Sequence, residues 1–328
     1  MTNEMNGTEF PETLIDAIKY FANADTSLRF VASIRWPDGQ ACCPSCGKKN
    51  AAFLATRNVW KCRDCKRQFS VKVGTIFEDS ALGLDKWLPA FWMIINAKNG
   101  VSSCEMARSL GVTQKTAWFM LHRIRLAVQD GSICKFAGNV EVDETFIGGR
   151  ARNMHRGKRK GKGTGVEGKA AVLGLLERTT EKKSSRVTLR IVENVKRPAL
   201  QSHIRQTVEA GSQVYTDALR SYRGLETDYV HNVIDHAVCY AKRHVHTNGL
   251  ENFWSLLKRG IRGTYVSVEP FHLFRYLDEQ AFRFNERENT DMGRFLKGIV
   301  GIIGKRIEYL KLIGKQAELP PTGTWQTA

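Results

Sequence analysis

Hydrophobic and polar positions change rhythm along this chain. Residues 83–130 are patterned as helix: "LDKWLPAFWMIINAKNG" presents an apolar stripe that stops at Asn99-Gly100, and "VSSCEMARSLGVTQKTAWFMLHRIRLAVQ" resumes it. In the second stretch Ser102 and Ser103 cap one helix and Ala107 permits close packing. Gly111 makes the turn, and Thr113 caps a further helix through "QKTAWFMLHRIR". From 138 onward strands take over. "NVEVDETFIGG", "KAAVLGLLER" and "SSRVTLRIVEN" read as three antiparallel strands, followed by the helix "PALQSHIRQTVEAG" with proline in its first turn and glycine past its end. "SQVYTDALRSY" is a buried strand ending in Asp217, then a helix; "DYVHNVIDHAVCY" holds a fifth strand. The helices "HTNGLENFWSLLKRG" and "VEPFHLFRYLDEQAFRFNERE" close the series.

The first forty residues predict a short helix around Leu14 to Phe21, then "RFVASIRWPDGQ" ending in a turn. The next forty carry two cysteine pairs, Cys43-x2-Cys46 and Cys62-x2-Cys65, 15 residues apart. That spacing suits a four-cysteine zinc site. The strands around it ("AAFLATRNVW", "RQFSVKVGTIF") hold too few apolar residues to stand alone, so zinc would supply the missing stability. Cys42 leaves an alternative, since it can replace Cys43 in an altered turn. Cys104, Cys134 and Cys239 stand alone and read as small core residues.

Charge narrows the partners. The 328 residues include 50 Lys+Arg against 33 Asp+Glu, a net +17, which points to a polyanion, most simply nucleic acid. The longest apolar run, "WLPAFWMIINA", is too short to span a bilayer, and the N-terminus has no signal-peptide pattern. We therefore expect a cytoplasmic protein without a membrane partner. In that setting the helix–turn–helix pattern acquires a role beside plain helical packing. Gln114, Lys115 and Thr116, opening the second helix, would face base edges in a major groove. Trp118, Phe119 and Leu121 read as core.

Three strands, helix, strand, helix, strand, helix is the order of a ribonuclease-H-like fold. It places Asp143 among Val140, Val142 and Phe146, where a carboxylate is costly unless paired or metal-bound. Asp217 repeats the oddity at the end of strand four, and Glu251 sits on the first turn of "HTNGLENFWSLLKRG". If the three converge, each close pair repels by roughly 4 kcal/mol at about 4 Å and an effective dielectric near 20. Cations would have to offset that. An oxygen-only set suits Mg2+ or Mn2+, and two such ions about 4 Å apart can drive in-line phosphodiester attack. Lys258, seven residues after Glu251, shares its helix face and offers a phosphate-binding ammonium. Trp254 between them is a core anchor or a platform beside the substrate; Lys258 and Arg259 alone would pass for a solvated face. Glu144 should point to the other face of its strand and is not expected to be a ligand.

The phrases "EVDETFIGG", "VYTDALRSY" and "HTNGLENFWSLLKRGIRGTY", with "RWPDG" and "CPSCG" upstream, resemble the zinc-ribbon DDE transposases of bacterial insertion sequences, specifically the family numbered fifteen-ninety-five. The resemblance runs from about residue 10 to 290. It implies a multidomain α/β chain. Residues 1–40 would form an N-terminal helical segment, 41–80 a zinc ribbon and 81–135 a helix-turn-helix-like DNA-binding segment. A ribonuclease-H-like DDE catalytic domain with a mixed sheet would follow at 138–290, then a C-terminal helix and tail at 291–328. Asp143, Asp217 and Glu251 match the family's acidic positions, with 33 residues between the last two, and Lys258 its following basic residue. Asn248, one turn earlier, is an alternative third ligand to Glu251. The resemblance implies structural Zn2+ on Cys43, Cys46, Cys62 and Cys65, and two catalytic Mg2+ or Mn2+ ions. It also implies double-stranded DNA as partner (transposon ends and target), a homodimer or larger assembly on it, and association with a bacterial nucleoid.

Residues 148–169 carry eight Lys/Arg, one Glu and seven Gly, which favours a flexible loop. Arg150, Arg152, Arg156, Lys158, Arg159, Lys160 and Lys162, with Arg259, read as phosphate-tracking DNA contacts; a solvated loop fits the same residues. His244 and His246 could position DNA or a metal ligand, or make structural hydrogen bonds. "GRFLKGIVGIIGKRIEYLKLIG" reads as a helix that covers the core or meets a partner. Two other functions compete with transposition: a catalytically silent DNA-binding regulator derived from a transposase, and a nuclease that does not join strands.

Overall fold

The computed structural model describes residues 4–5, 8–129, 134–149, 168–181, 183–234 and 246–315. They fall into two compact units. One is drawn from Met1–Trp92, Ser103–Val128 and Phe295–Ala328, the other from Met93–Ser102 and Gln129–Arg294.

In the first unit a small pair, β1 (Glu4–Met5) with β2 (Thr8–Glu9), precedes α1 (Leu14–Ala22). Thr13 and Asp16 form a reciprocal cap at the start of α1. A second helix, α2 (Ala24–Arg35), occupies the stretch expected to lead only into a turn. Asn23 caps it by accepting the Thr26 N–H at 3.0 Å, and Phe30, Val31 and Ile34 bury one face. The ribbon follows as an antiparallel sheet of β3 (Ala51–Leu54), β4 (Val59–Cys62) and β5 (Gln68–Phe69). Its last strand is shorter than expected, for "SVKVGTIF" runs as turns. Helices α3 (Leu84–Asn96), α4 (Ser103–Leu110) and α5 (Gln114–Ala127) agree with the patterning. The chain's end supplies α9 (Asp291–Val300) and α10 (Tyr309–Leu312), two helices where one was expected. Buried Phe295 lies among Phe21, Phe30, Phe91 and Trp92, with ring centroids 5.2–5.8 Å away. The C-terminal segment thus completes the core of the N-terminal unit.

The second unit is built on a five-stranded mixed sheet of order β10-β9-β6-β7-β8. Strands β6 (Asn139–Ile147), β7 (Ala170–Glu177) and β8 (Arg186–Val192) are antiparallel, while β9 (Gln213–Asp217) and β10 (Val230–Ile234) run parallel to β6. Both faces are covered. Val140, Val142, Leu173 and Val214 pack with Leu200 and Ile204 of α6 (Arg197–Thr207). On the other side Val172 and Leu176 meet Leu250, Phe253, Trp254 and Leu257 of α7 (Asn248–Arg259), together with Leu273 and Leu277 of α8 (Leu273–Asn285). This bears out the multidomain α/β class with an N-terminal ribbon, helices and a mixed sheet. One expected element is absent. Between β9 and β10 the chain makes two 3-10 turns, Arg220–Tyr222 and Leu225–Thr227, rather than a helix. Gly224 at φ +90° separates them, a conformation that ends helical winding.

Among the described residues no helix is long and apolar enough to cross a membrane. Cys104 and Cys134 are exposed, against the expectation of core positions. Cys104 precedes the buried face of α4, which is made by Met106 and Ala107. Cys239 and His244 lie outside the described residues.

Candidate functional site

The two cysteine pairs sit on matching turns. The N–H of Cys43 bonds the Lys48 carbonyl at 3.0 Å, and that of Cys62 bonds the Arg67 carbonyl at 3.0 Å. Each turn passes through a left-handed residue four positions after its first cysteine, Gly47 at φ +71° and Lys66 at φ +63°. The result brings Cys43 Sγ to 3.6 Å from Cys65 Sγ and Cys46 Sγ to 3.6 Å from Cys62 Sγ. All four sulfurs lie within 4.8 Å of one another. A tetrahedral zinc with Zn–S of about 2.3 Å requires S···S of about 3.8 Å, so the set fits a structural zinc. Cys42 is excluded from it: its thiol donates to the Gly47 carbonyl at 3.2 Å.

In the helical pair Thr113 caps α5 as expected, accepting the Thr116 N–H at 3.2 Å, and Gly111 takes φ +61° in the turn. The three residues singled out for DNA each have a partner within the protein. Gln114 Nε2 donates to Ser103 Oγ at 2.7 Å, the Lys115 ammonium lies 4.7 Å from the Tyr309 ring centroid, and Thr116 shares a 2.8 Å hydroxyl bond with Thr113. Gln114 and Lys115 are exposed, Thr116 half-buried. Leu121 is buried; Trp118 and Phe119 are half-buried.

The acidic residues come from three elements of the second unit. Strands β6 and β9 pair in parallel as far as Glu141 opposite Tyr215, and two residues further on each strand stand Asp143 and Asp217. Asp217 Oδ1 accepts the Leu219 N–H at 3.0 Å. Burial pushes the Asp143 carboxyl above its ordinary value; a hydrogen bond from Trp254 opposes this, and the charges of Asp217 and Glu251 add to it. That bond is 2.8 Å from Trp254 Nε1 to Asp143 Oδ2, so Trp254 is at once core anchor and carboxylate donor. Glu251 is exposed on the first turn of α7, where Thr247 Oγ1 donates to it at 3.5 Å; Asn248 opens the helix and is exposed too. Among the described residues only the four cysteines bring three or more such ligand atoms within 4.8 Å of one another; Asp143, Asp217 and Glu251 do not close to that distance as a set.

Lys258 is half-buried, and burial pulls its ammonium below the ordinary value. Arg262 and Lys169 press in the same direction, while Asp143 opposes them. Arg262 and Lys169 were not foreseen as neighbours. Arg259 is exposed. Arg150, Arg152, Arg156, Lys158, Arg159, Lys160 and Lys162 lie outside the described residues.

Glu144 accepts a hydrogen bond from Tyr222 on the far face of the sheet. Its carboxyl is pushed up to about 7, by burial first and then by Asp217 and Asp143, against the tyrosine hydrogen bond. Sequence reasoning also missed Glu141. This buried carboxylate bonds Arg178 Nε at 2.8 Å and the Leu250 N–H at 2.9 Å. The one available signal was its position two residues before Asp143, hence on the same strand face. His246 makes structural contacts, with Nδ1 3.2 Å from Arg178 and 3.4 Å from Glu141.

Residues 135–285 match the ISXO2-like transposase domain and residues 23–68 the transposase zinc-ribbon domain. The chain is 28% identical over 256 residues to an "uncharacterized protein in transposable element ISH50" of Halobacterium salinarum, covering 74% of this chain and 84% of that one. It is 35% identical over 111 residues to an "uncharacterized transposase-like protein" of Haemophilus influenzae, covering 34% of this chain and 89% of that one. The chain therefore belongs to the zinc-ribbon, ISXO2-like transposases, the insertion-sequence family numbered fifteen-ninety-five.

Proposed function

We propose that this transposase binds the terminal inverted repeats of its own element, cleaves DNA at the transposon ends and joins the freed 3′-hydroxyl to target DNA. One observation carries the chemistry. Asp143 and Asp217 stand at matching places on the paired strands β6 and β9, and Trp254, on the same helix as Glu251 and Lys258, donates a hydrogen bond to Asp143. A divalent cation fits this donor set, because the groups offer only oxygen and burial makes the Asp143 charge costly without a counter-ion. Asp143, Asp217 and Glu251 would hold two Mg2+ or Mn2+ ions, with Asn248 the alternative to Glu251. Such ions supply activation of the attacking oxygen and charge stabilisation at the leaving one.

The chain's own groups orient and bind. Trp254 fixes the Asp143 carboxylate, while Lys258, Arg262 and Lys169 form a cationic side that receives the phosphodiester. Water is the nucleophile in cleavage and the 3′-hydroxyl in joining. The ribbon (residues 41–80) and the helical segment (81–135), with Gln114, Lys115 and Thr116, engage the ends. The basic segment with Arg150, Arg152, Arg156, Lys158, Arg159, Lys160 and Lys162, together with Arg259, adds salt-dependent phosphate contacts. Pairing two ends calls for a homodimer or larger assembly, working on the cytoplasmic nucleoid.

A labelled transposon-end duplex incubated with a target plasmid in Mg2+ tests this, wild type beside Asp217→Asn. Joined product from the wild type, lost in the variant with DNA binding retained, is the expected result. Cutting without joining would make the protein a nuclease, and binding without cutting a silent regulator.

A further inference from the structure

Strand β6 turns two carboxylates toward α7, Glu141 and Asp143, and they are used differently. Asp143 receives a side-chain hydrogen bond from Trp254. Glu141 is 1% exposed and held by protein donors on both oxygens: Arg178 Nε at 2.8 Å on Oε1 and the Leu250 N–H at 2.9 Å on Oε2. Arg178 is itself placed by the Tyr215 ring, 4.0 Å from its centroid, and by the His246 carbonyl. Leu250 directly precedes Glu251. At Gly249 an added Cβ would stand 2.8 Å from Glu141 Oε2 and so would displace this carboxylate or the first turn of α7. A carboxylate at a helix N-terminus also meets the positive end of the helix dipole.

From this we infer that Glu141 is a positioning residue of the acidic site: its bonds to Leu250 and Arg178 set the first turn of α7 on the sheet, and thereby where Glu251 faces Asp143 and Asp217. The assignment rests on the reading of those three carboxylates as a divalent-cation site. Loss of an outer contact to a metal site costs on the order of 10–100-fold in affinity.

The test is Mn2+ binding to the full-length, zinc-loaded protein, followed by the loss of free-ion electron paramagnetic resonance signal. Wild type, Glu141→Gln, Gly249→Ala and Asp217→Asn are compared, with binding of the end duplex in chelator-free, Mg2+-free buffer as the control for folding. Asp217→Asn should abolish specific Mn2+ uptake. Glu141→Gln should weaken it roughly tenfold while end binding is kept. Gly249→Ala leaves every charge in place and favours helix, and it should shift Mn2+ affinity in the same direction, so it decides the matter if Glu141→Gln does not fold. Mn2+ affinities within twofold of wild type in both variants, even with a lowered Tm, would give Glu141 a purely structural role and overturn the inference. No specific uptake by wild type, or uptake indifferent to Asp217→Asn, removes the cation site and this inference with it.

Discussion

The indole of Trp254 reaches Asp143 across the place where β7 has no side chain. Gly174 is the direct cross-strand neighbour of Asp143, and a Cβ there would stand 2.5 Å from Trp254 Cζ2 and 2.6 Å from Cη2. The glycine, the ring and the carboxylate therefore form one device. Gly174→Ala should push the indole off the sheet, costing roughly 1–3 kcal/mol as overpacking of a full core. Thermal denaturation of the variant would show the drop in Tm. Combining it with Trp254→Leu, which vacates the same space, should give a loss well below the sum of the single changes. Additive losses would mean that the indole does not meet position 174.

The ribbon separates two adjacent cysteines. Cys62→Ser removes one of the four sulfurs and should release the zinc. Cys42→Ser touches only the hydrogen bond to Gly47 and should leave zinc content at one per chain. Metal analysis after gel filtration reads both. Zinc retained in Cys62→Ser, or lost in Cys42→Ser, would overturn the ligand set.

Spacing and local pairing made some of this legible beforehand. The cysteine pairs, the Thr113 cap and the Gly111 turn are defined by residues a few positions apart, so the pattern contains them whole. Asp143 and Asp217 stood out because a charge inside an apolar strand needs an explanation. Glu141 is buried more deeply than either and did not stand out. Its charge is answered by Arg178, 37 positions away, and by Leu250, 109 positions away, and neither neighbourhood is visible from the strand itself. Phe295 is a similar case. Its aromatic partners Phe21, Phe30 and Phe91 are about two hundred residues or more upstream, so "GRFLKGIV" showed an apolar face without showing what it meets.

The two ribbon turns place unlike residues in the same backbone state. At Gly47 a Cβ would meet nothing within 4 Å, so Gly47→Ala tests the left-handed conformation alone and should cost roughly 1 kcal/mol. Lys66→Gly should relieve the corresponding strain. The gain is reduced by loss of the 2.6 Å bond from Lys66 Nζ to the Arg63 carbonyl and by the greater freedom of glycine in the unfolded chain. Chelator concentration at half-release of zinc ranks the three proteins: Lys66→Gly at or above wild type, Gly47→Ala below. The reverse order would show that the turns do not carry the strain their dihedral angles indicate.

Lys115 carries a prediction of its own because it is already engaged. Its ammonium rests on the Tyr309 ring of α10, and the Tyr309 ring is edge-on to Phe119 at 5.6 Å. If Lys115 binds DNA phosphate, it must leave that ring, giving up about 0.5–1 kcal/mol of cation–π attraction at an exposed site. Tyr309→Leu keeps an apolar contact for Phe119 while removing the attraction, and should tighten end-duplex binding by roughly two- to fivefold. Lys115→Gln should weaken binding to specific and unrelated duplexes alike and lower the log–log salt slope by about one. Gln114→Ala, by contrast, should weaken the specific duplex selectively, since a side chain at the helix start reads bases rather than charge. Fluorescence anisotropy across a salt series measures all three. An unchanged salt slope in Lys115→Gln would take α5 off the DNA and leave end recognition to the ribbon.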